Sequence, residues 1–451
     1  MQLNKKGLGK KNPRSRYKKI APALAAASFG LLGAGNTIAR GQAGTWDFDI
    51  ASLLYSESNN RVSAIEPVFS ATRNLFTGET FNVKGVFDTL TGASPNGATP
   101  SDQAQTFTRP SGSEEYTTAA ANRPLDDSFK DTRTALSVNW TAPINRDWEY
   151  STGANFSSEF DYLSLGANGS LKRYFDHKNT ALNLGFSFSS DSVKPIGGIP
   201  VALSKMAFNP TDFKTTRGKN TDTKTIVDTI VGLTQVINRR TIMQFNIGIS
   251  ASNGYLTDPF KILSVIDDNA TGTNYGGNFT NGTPNNIYLY ENRPSTRLKS
   301  SFYWQTKYAF DGGNTMGTSY RFMSDDWGIS SHTIDLHYHW SLSNNSFYLE
   351  PHFRYYKQSK ANFYKRYLTV TEYNSGNPIF TNASADERLG DMNAITLGMK
   401  YGWKMTDDQE VSARLEYYVQ SHSGNSGIGK LASQNLYPDN KAVLLQVQYS
   451  F

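Results

Sequence analysis

The sequence contains no cysteine, no long hydrophobic run and, beyond its first residues, no large excess of one charge. Without cysteine, disulfides, thiolate catalysis and cysteine-ligated metal sites are excluded. The mean hydropathy of -0.51 excludes a bundle of transmembrane helices, because each span needs about 20 apolar residues. The first 43 residues hold nine of the 45 basic residues and no acidic one, which leaves 36 basic against 39 acidic residues in the rest. The basic pI therefore gives no support for nucleic-acid binding.

The first 43 residues have the three parts of a secretory signal peptide. A basic region comes first, an apolar stretch over residues 20–32 follows, and small residues come next. The apolar stretch is too short to span a bilayer. We predict a signal peptide over residues 1–43, with cleavage after Ala43 or, alternatively, after Ala39, and an exported chain over 44–451. An N-terminal membrane anchor is the alternative interpretation.

The exported chain is dominated by alternation of apolar and polar residues, broken by Gly, Asn, Asp and Ser. This period of two predicts β-strands with one apolar face. Short turns alternate with long polar loops near residues 91–127, 190–221, 254–297, 358–388 and 420–440. The layout predicts an all-β fold: a transmembrane antiparallel up-and-down β-barrel of about 16 strands, with 14 as the alternative, long extracellular loops and short periplasmic turns.

The last strand alternates up to Tyr449 and Phe451, and its aromatic end resembles the insertion signal that the barrel-assembly machinery recognises. We therefore expect the bacterial cell outer membrane as the location, with outer-membrane lipid and that machinery as partners. The strands near 61–76 and 222–237 are the least regular: Pro67 would interrupt the first ladder, and the facing of the second is ambiguous. A secreted β-sandwich or propeller is the alternative fold, but no blade-length repeat is present.

Five segments together resemble one family. They are DTLTGASPNGA (residues 88–98), SNGYLTDPFKILSV (252–265), YENRPSTR (290–297), SYRFMSDDWGISSHTIDL (319–336) and EPHFRYYKQSKANFY (350–364). The chain resembles the uncharacterised bacterial outer-membrane β-barrel family catalogued as domain of unknown function 3570. The resemblance implies an outer-membrane barrel with no established catalytic residues. Members tend to be encoded beside flavin-transferase and thioredoxin-like proteins, which implies a periplasmic or surface redox protein as a partner.

Half of the six histidines fall on one predicted hairpin that turns at residues 344–345. The residues it places opposite one another are His339 and Glu350, His337 and His352, and Asp335 and Arg354. Imidazole and carboxylate suit Zn, Cu, Ni or Fe. The candidate metal ligands are therefore His337, His339, Glu350 and His352, all facing the lumen. The alternatives are a hydrogen-bonded wall in which Asp335 pairs with Arg354, and a pH-sensitive lining.

Inward-facing charged residues are expected to line the lumen as basic and acidic arcs. They are Lys307, Arg321, Asp335, Arg354, Lys400, Arg414 and Glu416. The pattern suits a selective pore and a filled barrel equally. Asp325, Asp326 and Trp327 form a hairpin tip at the outer rim, either as a binding site for a cation or a partner, or as a tight turn with an interfacial anchor.

Motifs for catalysis and cofactor binding are missing from the sequence. It has no phosphate-binding glycine loop, no GxSxG and no HExxH, and its loops lack the basic–aromatic pattern of nucleic-acid binding. We therefore expect no enzyme, no cofactor and no nucleic-acid partner. The favoured function is a porin- or channel-like barrel that passes or selects small polar solutes or ions. The alternatives are a scaffold for a redox or extracellular electron-transfer partner and, least favoured, a barrel-embedded enzyme.

Overall fold

The computed structural model describes residues 44–59, 61–112, 114–208, 210–268, 272–274, 286–342 and 346–451. The predicted signal peptide and the turn at residues 344–345 lie outside the described residues. Sixteen antiparallel strands form a closed barrel, which confirms the predicted fold and the larger of the two strand numbers. They are β1 (Trp46–Glu57), β2 (Val62–Asn74), β3 (Thr80–Pro95), β4 (Leu125–Pro143), β5 (Trp148–Ser158), β6 (Tyr162–Phe175), β7 (Thr180–Val193), β8 (Asp222–Asn238), β9 (Thr241–Gly254), β10 (Thr296–Ala309), β11 (Thr315–Asp325), β12 (Ser330–Leu342), β13 (Phe347–Gln358), β14 (Asp391–Lys404), β15 (Glu410–Ser423) and β16 (Asn440–Ser450).

The barrel closes where the last strand pairs with the first. The ladder between β1 and β16 runs from Asp49 opposite Ser450 to Glu57 opposite Ala442. At its end, Phe48 donates its N–H to the carbonyl of Phe451 at 2.7 Å, and Phe451 donates its N–H back at 2.9 Å. A closed ladder leaves no sheet edge, as a barrel in lipid requires.

The outer surface of the barrel is apolar because the strands alternate as predicted. Ile247 and Leu397, for example, are hydrocarbon side chains that point outward, and they are 60% and 56% exposed. Aromatic residues gather near the end that carries the short turns, with Trp46 against Phe81 and Phe347 against Trp403. An apolar band edged by aromatic rings is the surface of a protein that sits in a lipid bilayer. In the described part of the chain, no helix is long and apolar enough to cross a membrane.

Both of the least regular strands belong to the barrel. Pro67 does interrupt a ladder: pairing of β2 with β3 runs to Ile65 opposite Thr89 and resumes only at Val68. On the other side, Pro67 lies in register with Ser52 of β1. In β8 the ladder with β9 is continuous up to Val236 and shifts only at its end. Each disturbance is local, so neighbouring pairs keep the register.

The long loops at the other end of the barrel pack into one unit, here called the loop cap, formed by residues 96–124, 194–221, 255–295, 359–390 and 424–439 as far as these are described. Its centre is a small sheet in which Ile262–Ile266 pairs with Tyr288–Tyr290 and with Leu368–Thr369. The core residues Leu263, Val265 and Leu368 are fully buried. The cap also contains four short strands, Gln105–Thr108, Glu115–Thr118, Ile199–Pro200 and Arg217–Lys219. Its short helices are Pro210–Thr215, Val370–Tyr373, Asn374–Gly376, Glu387–Leu389 and Gly429–Ser433. At the opposite end of the barrel, Asp176–Lys178 and Asp311–Gly313 form 3₁₀ turns.

Because the outer face of the barrel is apolar and the inner face is polar, a new charge should lower the free energy of unfolding more on the outer face than on the inner face. We expect Leu397→Arg, which places a guanidinium on the outer face near the middle of β14, to lower the free energy of unfolding by about 2–4 kcal/mol. Ser319→Arg, on the inner face near the middle of β11, should cost less than about 1 kcal/mol because its charge enters a polar lumen. Denaturant unfolding in phospholipid vesicles measures both. Equal losses would contradict the inward and outward assignment.

Candidate functional site

The lumen is a polar cavity of about 2150 Å³ that extends along the inside of the barrel. Its lining includes Asp386, Glu387 and Arg388 on the underside of the loop cap. At the opposite end the lining includes Asp47 and Asp408, beside the strand ends that carry the short turns. The cavity therefore reaches from the cap to the end at which the described chain starts and finishes.

The loop cap covers the outer mouth because loops from different parts of the ring bind one another across it. Arg366, between β13 and β14, donates to the carbonyl of Gly97 at 2.8 Å and to that of Leu436 at 3.0 Å. These two acceptors belong to the loops that follow β3 and β15. The N–H of Thr99 donates to the Ser264 hydroxyl at 3.1 Å, which joins the loops after β3 and β9.

A carboxylate on the underside of the cap joins it to a hairpin and to a second loop. Glu387 forms ion pairs with Arg123 and, at 3.4 Å, with Arg61, and Arg61 also contacts Glu57 at 3.0 Å. Burial alone would raise the pKa of the Glu387 carboxyl, but the positive charges of Arg123 and Arg61 outweigh it and hold the pKa at about 2. Glu387 is therefore ionised at neutral pH, and its ion pairs connect the loop cap to the hairpin that carries Arg61.

A second charged cluster lies beside Glu387 and includes its neighbours Asp386 and Arg388. Arg293 contacts Glu291 at 2.6 Å and Asp386 at 2.7 Å, while Arg388 contacts Asp386 and, at 2.7 Å, Asp258. Burial raises the pKa of Glu291, whereas the pKa of Asp386 lies well below its ordinary value because Arg388 and Arg293 outweigh its burial. Buried charges are retained only where they are paired, so this cluster holds the loops in one arrangement.

All of the residues predicted to line the lumen face the cavity: Lys307, Arg321, Asp335, Arg354, Lys400, Arg414 and Glu416. Basic and acidic residues line it in equal numbers, so the pairing of each charge decides the local potential. Among the described strand residues of the lining, Lys299, Lys307, Arg321 and Arg354 on β10, β11 and β13 have no ion-pair partner. The carboxylates of Asp335, Glu350 and Glu416 on β12, β13 and β15 contact histidines or arginines, and the described lining carboxylates without an ion pair lie elsewhere, Asp228 on β8 and Asp47, Asp49 and Asp408 towards the short turns. Asp335 lies opposite Arg354 as predicted, but its carboxylate contacts histidines and makes no ion pair with that arginine.

The predicted histidine hairpin keeps its register, with His337 opposite His352 and Asp335 opposite Arg354, but the ladder is interrupted at His339 and Glu350, beside Pro351, and resumes at Trp340 opposite Leu349. Their rings stack in parallel with centroids 4.1 Å apart. One carboxylate, Asp335, contacts Nε2 of His337 at 2.7 Å and Nε2 of His352 at 3.2 Å. Nδ1 of His352 contacts Glu416 at 2.8 Å. The result is a chain of alternating carboxylates and imidazoles along the lumen wall.

A glycine makes the contact between His352 and Glu416 possible. These residues lie on β13 and β15, and the strand between them places Gly398 next to both. A Cβ on Gly398 would lie 2.8 Å from Cγ of Glu416. A glycine inside a strand often marks such a close approach.

His339 takes a different environment from the other two histidines. Its ring packs against Tyr348 with centroids 4.4 Å apart, and its Nδ1 lies 3.6 Å from Glu350. Of the four predicted metal ligands, the structure brings His337 and His352 together at Asp335, while Glu350 lies 3.6 Å from Nδ1 of His337. That any of these residues binds metal stays a prediction.

The hairpin tip at Trp327 is neither a free binding site nor a membrane anchor. The indole is buried, donates to the carbonyl of Thr296 at 2.8 Å and packs edge-on against Phe363 of the cap. Asp325 is buried against Arg297 and accepts the N–H of Ile329 at 2.8 Å. The interfacial-anchor interpretation was wrong because the loop cap covers this hairpin.

Tyr449 and Phe451 lie at the end of the last strand, with their rings stacked 4.9 Å apart. Phe451 also contacts Phe48 at 5.4 Å. Their role as an insertion signal stays a prediction.

Sequence reasoning missed the charged underside of the cap and Gly398. Two signals are present: the run Asp386, Glu387 and Arg388 inside a loop, and Gly398, one of two glycines in the alternating strand at residues 395–403. Neither signal indicates which residues are contacted, because those residues are distant in the sequence.

Two glycines beside the histidine cluster make a matched pair for a stability test. We expect Gly398→Ala to lower the free energy of unfolding by about 1–3 kcal/mol, because the new methyl displaces Glu416 from a buried charged hydrogen bond. Gly317→Ala, on the other side of His337, meets nothing within 4 Å and should be neutral or slightly stabilising. Thermal or denaturant unfolding of both variants provides the measurement. Equal effects would contradict the close approach at Gly398.

Several solved membrane barrels share the general form of this chain at low similarity. The CymD monoaromatic hydrocarbon channel is 7% identical, with coverage of 94% of this chain and 92% of that one and a TM-score of 0.39. OmpT of Vibrio cholerae is 10% identical, with coverage of 91% and 100% and a TM-score of 0.33. The ferric-catecholate import receptor Fiu of E. coli K12 is 8% identical, with coverage of 90% and 82% and a TM-score of 0.37. These values carry no argument about what the present barrel binds or passes.

Comparison with curated protein sequences gives no significant match. The comparison with protein families is informative, because one family model matches residues 21–451, almost the whole chain. Its description is "Protein of unknown function (DUF3570)". The match confirms the resemblance drawn from the five sequence segments, and the chain belongs to this family.

Proposed function

We propose that this protein is a gated channel of the bacterial outer membrane that passes small polar solutes and favours anions, and that it is not an enzyme. The observation that carries the proposal is the continuous cavity beneath the loop cap, one wall of which carries Lys299, Lys307, Arg321 and Arg354 on the nearby strands β10, β11 and β13 without ion-pair partners among the described residues. A local cluster of unpaired cations on the wall of a cavity attracts anions and repels cations, as charged rings do in other pores. The cap supplies the gate.

The proposed gate works through the contacts that hold the loops together. In the closed state the loops meet across the mouth, and Glu387 is paired with Arg123 and Arg61. Because these pairs join separate loops, the cap opens only when they separate. The proposed entrance is the periplasmic end, where the cavity lining extends to Asp47 and Asp408 beside the short turns.

Loss of the Glu387 charge should open the channel. In planar bilayers, we expect Glu387→Gln to raise the open fraction at neutral pH at least about tenfold, since loss of this charge removes the ion pair of Arg123 and leaves Arg61 paired with Glu57 alone. Glu114→Gln is the matched control, because that carboxylate is 73% exposed in the same loop as Arg123 and pairs only with Arg109 at 3.5 Å. No conductance in Glu387→Gln, or in a barrel that lacks residues 262–290, would overturn the channel proposal.

Acid should open the wild-type channel. The pKa of Glu387 is about 2 in the closed cap, below its ordinary value of 4.5, so the stabilisation is complete above pH 4.5 and is lost as the pH falls towards 2. The groups that face Glu387 are Arg123, Arg61, Lys261 and His422. Asp386 acts in the same direction, and Glu291, with its raised pKa, acts in the opposite one.

The measurement is single-channel conductance from pH 7 down to pH 3. We expect the open fraction of the wild type to rise below pH 4.5, with a much flatter profile for Glu387→Gln. A wild-type profile that falls with acid, or an unchanged slope in the variant, would contradict this gate.

The unpaired lining cations should set the selectivity. In the Glu387→Gln background, we expect a chloride-to-potassium permeability ratio above one, and we expect Lys307→Gln with Arg321→Gln to lower it by at least about twofold. Reversal potentials in a KCl gradient give the ratio. Lys178→Gln, an exposed cation on a turn outside the lumen, is the control and should leave the ratio unchanged. Cation selectivity before substitution would contradict the proposed preference.

A second candidate function follows from the closed outer mouth. A lumen that is covered on one side and open on the other could instead hold a segment of a periplasmic redox partner, as the family resemblance implies. This scaffold hypothesis predicts no conductance even without the cap, together with co-purification of a flavin- or haem-bearing protein. The conductance measurements therefore distinguish the two functions.

A further inference from the structure

We infer that Asp335, His337 and His352 form a binding site for a divalent first-row metal ion, with Zn²⁺ as the reference ion, on the wall of the lumen. The inference goes beyond transport and holds whether or not the barrel conducts. One potential ligand atom from each residue lies within 4.8 Å of the other two. Two imidazoles and a carboxylate, with a further position left for water, form a common three-ligand set for zinc.

The hydrogen-bonding state of His352 is the first argument. Both of its ring nitrogens face carboxylates, Nε2 at 3.2 Å from Asp335 and Nδ1 at 2.8 Å from Glu416. A neutral imidazole carries one N–H, so both contacts are satisfied only by a doubly protonated ring or by a neutral ring with a metal ion at Nε2. With a metal ion there, Nδ1 donates to Glu416 while Nε2 and Asp335 both bind the metal.

The stacked rings are the second argument. His337 and His352 lie parallel at 4.1 Å, and both direct Nε2 towards Asp335. Two imidazolium rings at this distance would repel each other. A single dication among the two nitrogens and the carboxylate satisfies all three groups with both rings neutral. In a tetrahedral zinc site, ligand atoms lie roughly 3.4 Å apart, as metal–ligand bonds of about 2.1 Å require, so small side-chain rotations suffice.

The surrounding residues support the ligands in the way that outer carboxylates do in zinc proteins. Glu416 lies 2.8 Å from Nδ1 of His352, and Glu350 lies 3.6 Å from Nδ1 of His337. Such carboxylates orient a ligating imidazole and fix its tautomer. Arg414 in turn contacts Glu350 at 3.8 Å and Glu416 at 3.9 Å. Gly398 is what allows Glu416 to reach His352.

The site is also accessible from the lumen. All three ligands line the cavity, and Gly317 lies directly opposite His337 on β11. A Cβ on Gly317 would meet nothing within 4 Å. Open space beside the cluster provides an entry path and a place for a water or solute on the ion. The proposed ligands differ from those predicted from the sequence. His339 is left out because its ring packs on Tyr348, and the carboxylate ligand is Asp335 where the sequence predicted Glu350.

The test is zinc titration of the folded, chelator-stripped full-length barrel in detergent, by calorimetry and elemental analysis. We expect one Zn²⁺ per chain with a micromolar or lower Kd. Asp335→Ala, His337→Ala and His352→Ala should each weaken binding at least about 100-fold. His339→Ala is the matched control and should change the Kd less than about threefold. Far-UV circular dichroism and heat-dependent gel mobility establish that each variant is folded.

A positioning role for Glu416 gives a second, independent readout. Glu416→Gln should weaken zinc binding about 10–100-fold without removing a ligand. With Co²⁺ in place of Zn²⁺, wild type and Glu416→Gln should both show the visible absorption of a tetrahedral site, and His337→Ala should not. Absence of stoichiometric zinc on the folded wild type would overturn the inference. Equal weakening by His339→Ala and His337→Ala would also overturn it, because the ligands would then be the set predicted from the sequence.

Discussion

Inside a lipid bilayer no water is available to satisfy a backbone amide or carbonyl group, and this constraint underlies the rest of the structure. The chain meets it with a ladder of sixteen strands that closes between β1 and β16. Closure fixes the direction of every side chain, because neighbours along a strand face opposite sides. Apolar residues therefore face lipid, and polar residues, including His337, His339, His352 and the unpaired cations, share one lumen.

Local patterns explain why so much of the fold could be predicted from the sequence. Period-two alternation and turn residues are properties of adjacent residues, so they gave the strand number and the order of long and short connections. They also gave the pairing of His337 with His352, because the two-residue turn predicted from the sequence requires that register. Even Pro67 disturbed its ladder only where it stands.

The remaining features depend on residues that are distant in the chain. The loop cap forms through contacts such as Arg366 with Gly97, which no periodicity reveals. Asp335 contacts the two stacked rings and His339 does not, because the side chain of His339 is rotated so that its ring packs against Tyr348. Glu416 lies two strands from His352 and reaches it only because the residue between them is Gly398. The local sequence around Trp327 is that of an interfacial membrane anchor, but the loop cap covers this side chain.

We propose that the lumen is covered by the loop cap on the outside and open on the periplasmic side. The chain has no cysteine, so Ser319→Cys would place a single thiol on the lumen wall. The measurement is labelling of this thiol by a membrane-impermeant reagent, in intact cells and after access to the periplasm. We predict rapid labelling from the periplasm and very slow labelling from outside. Rapid labelling in intact cells, or none from either side, would contradict the account.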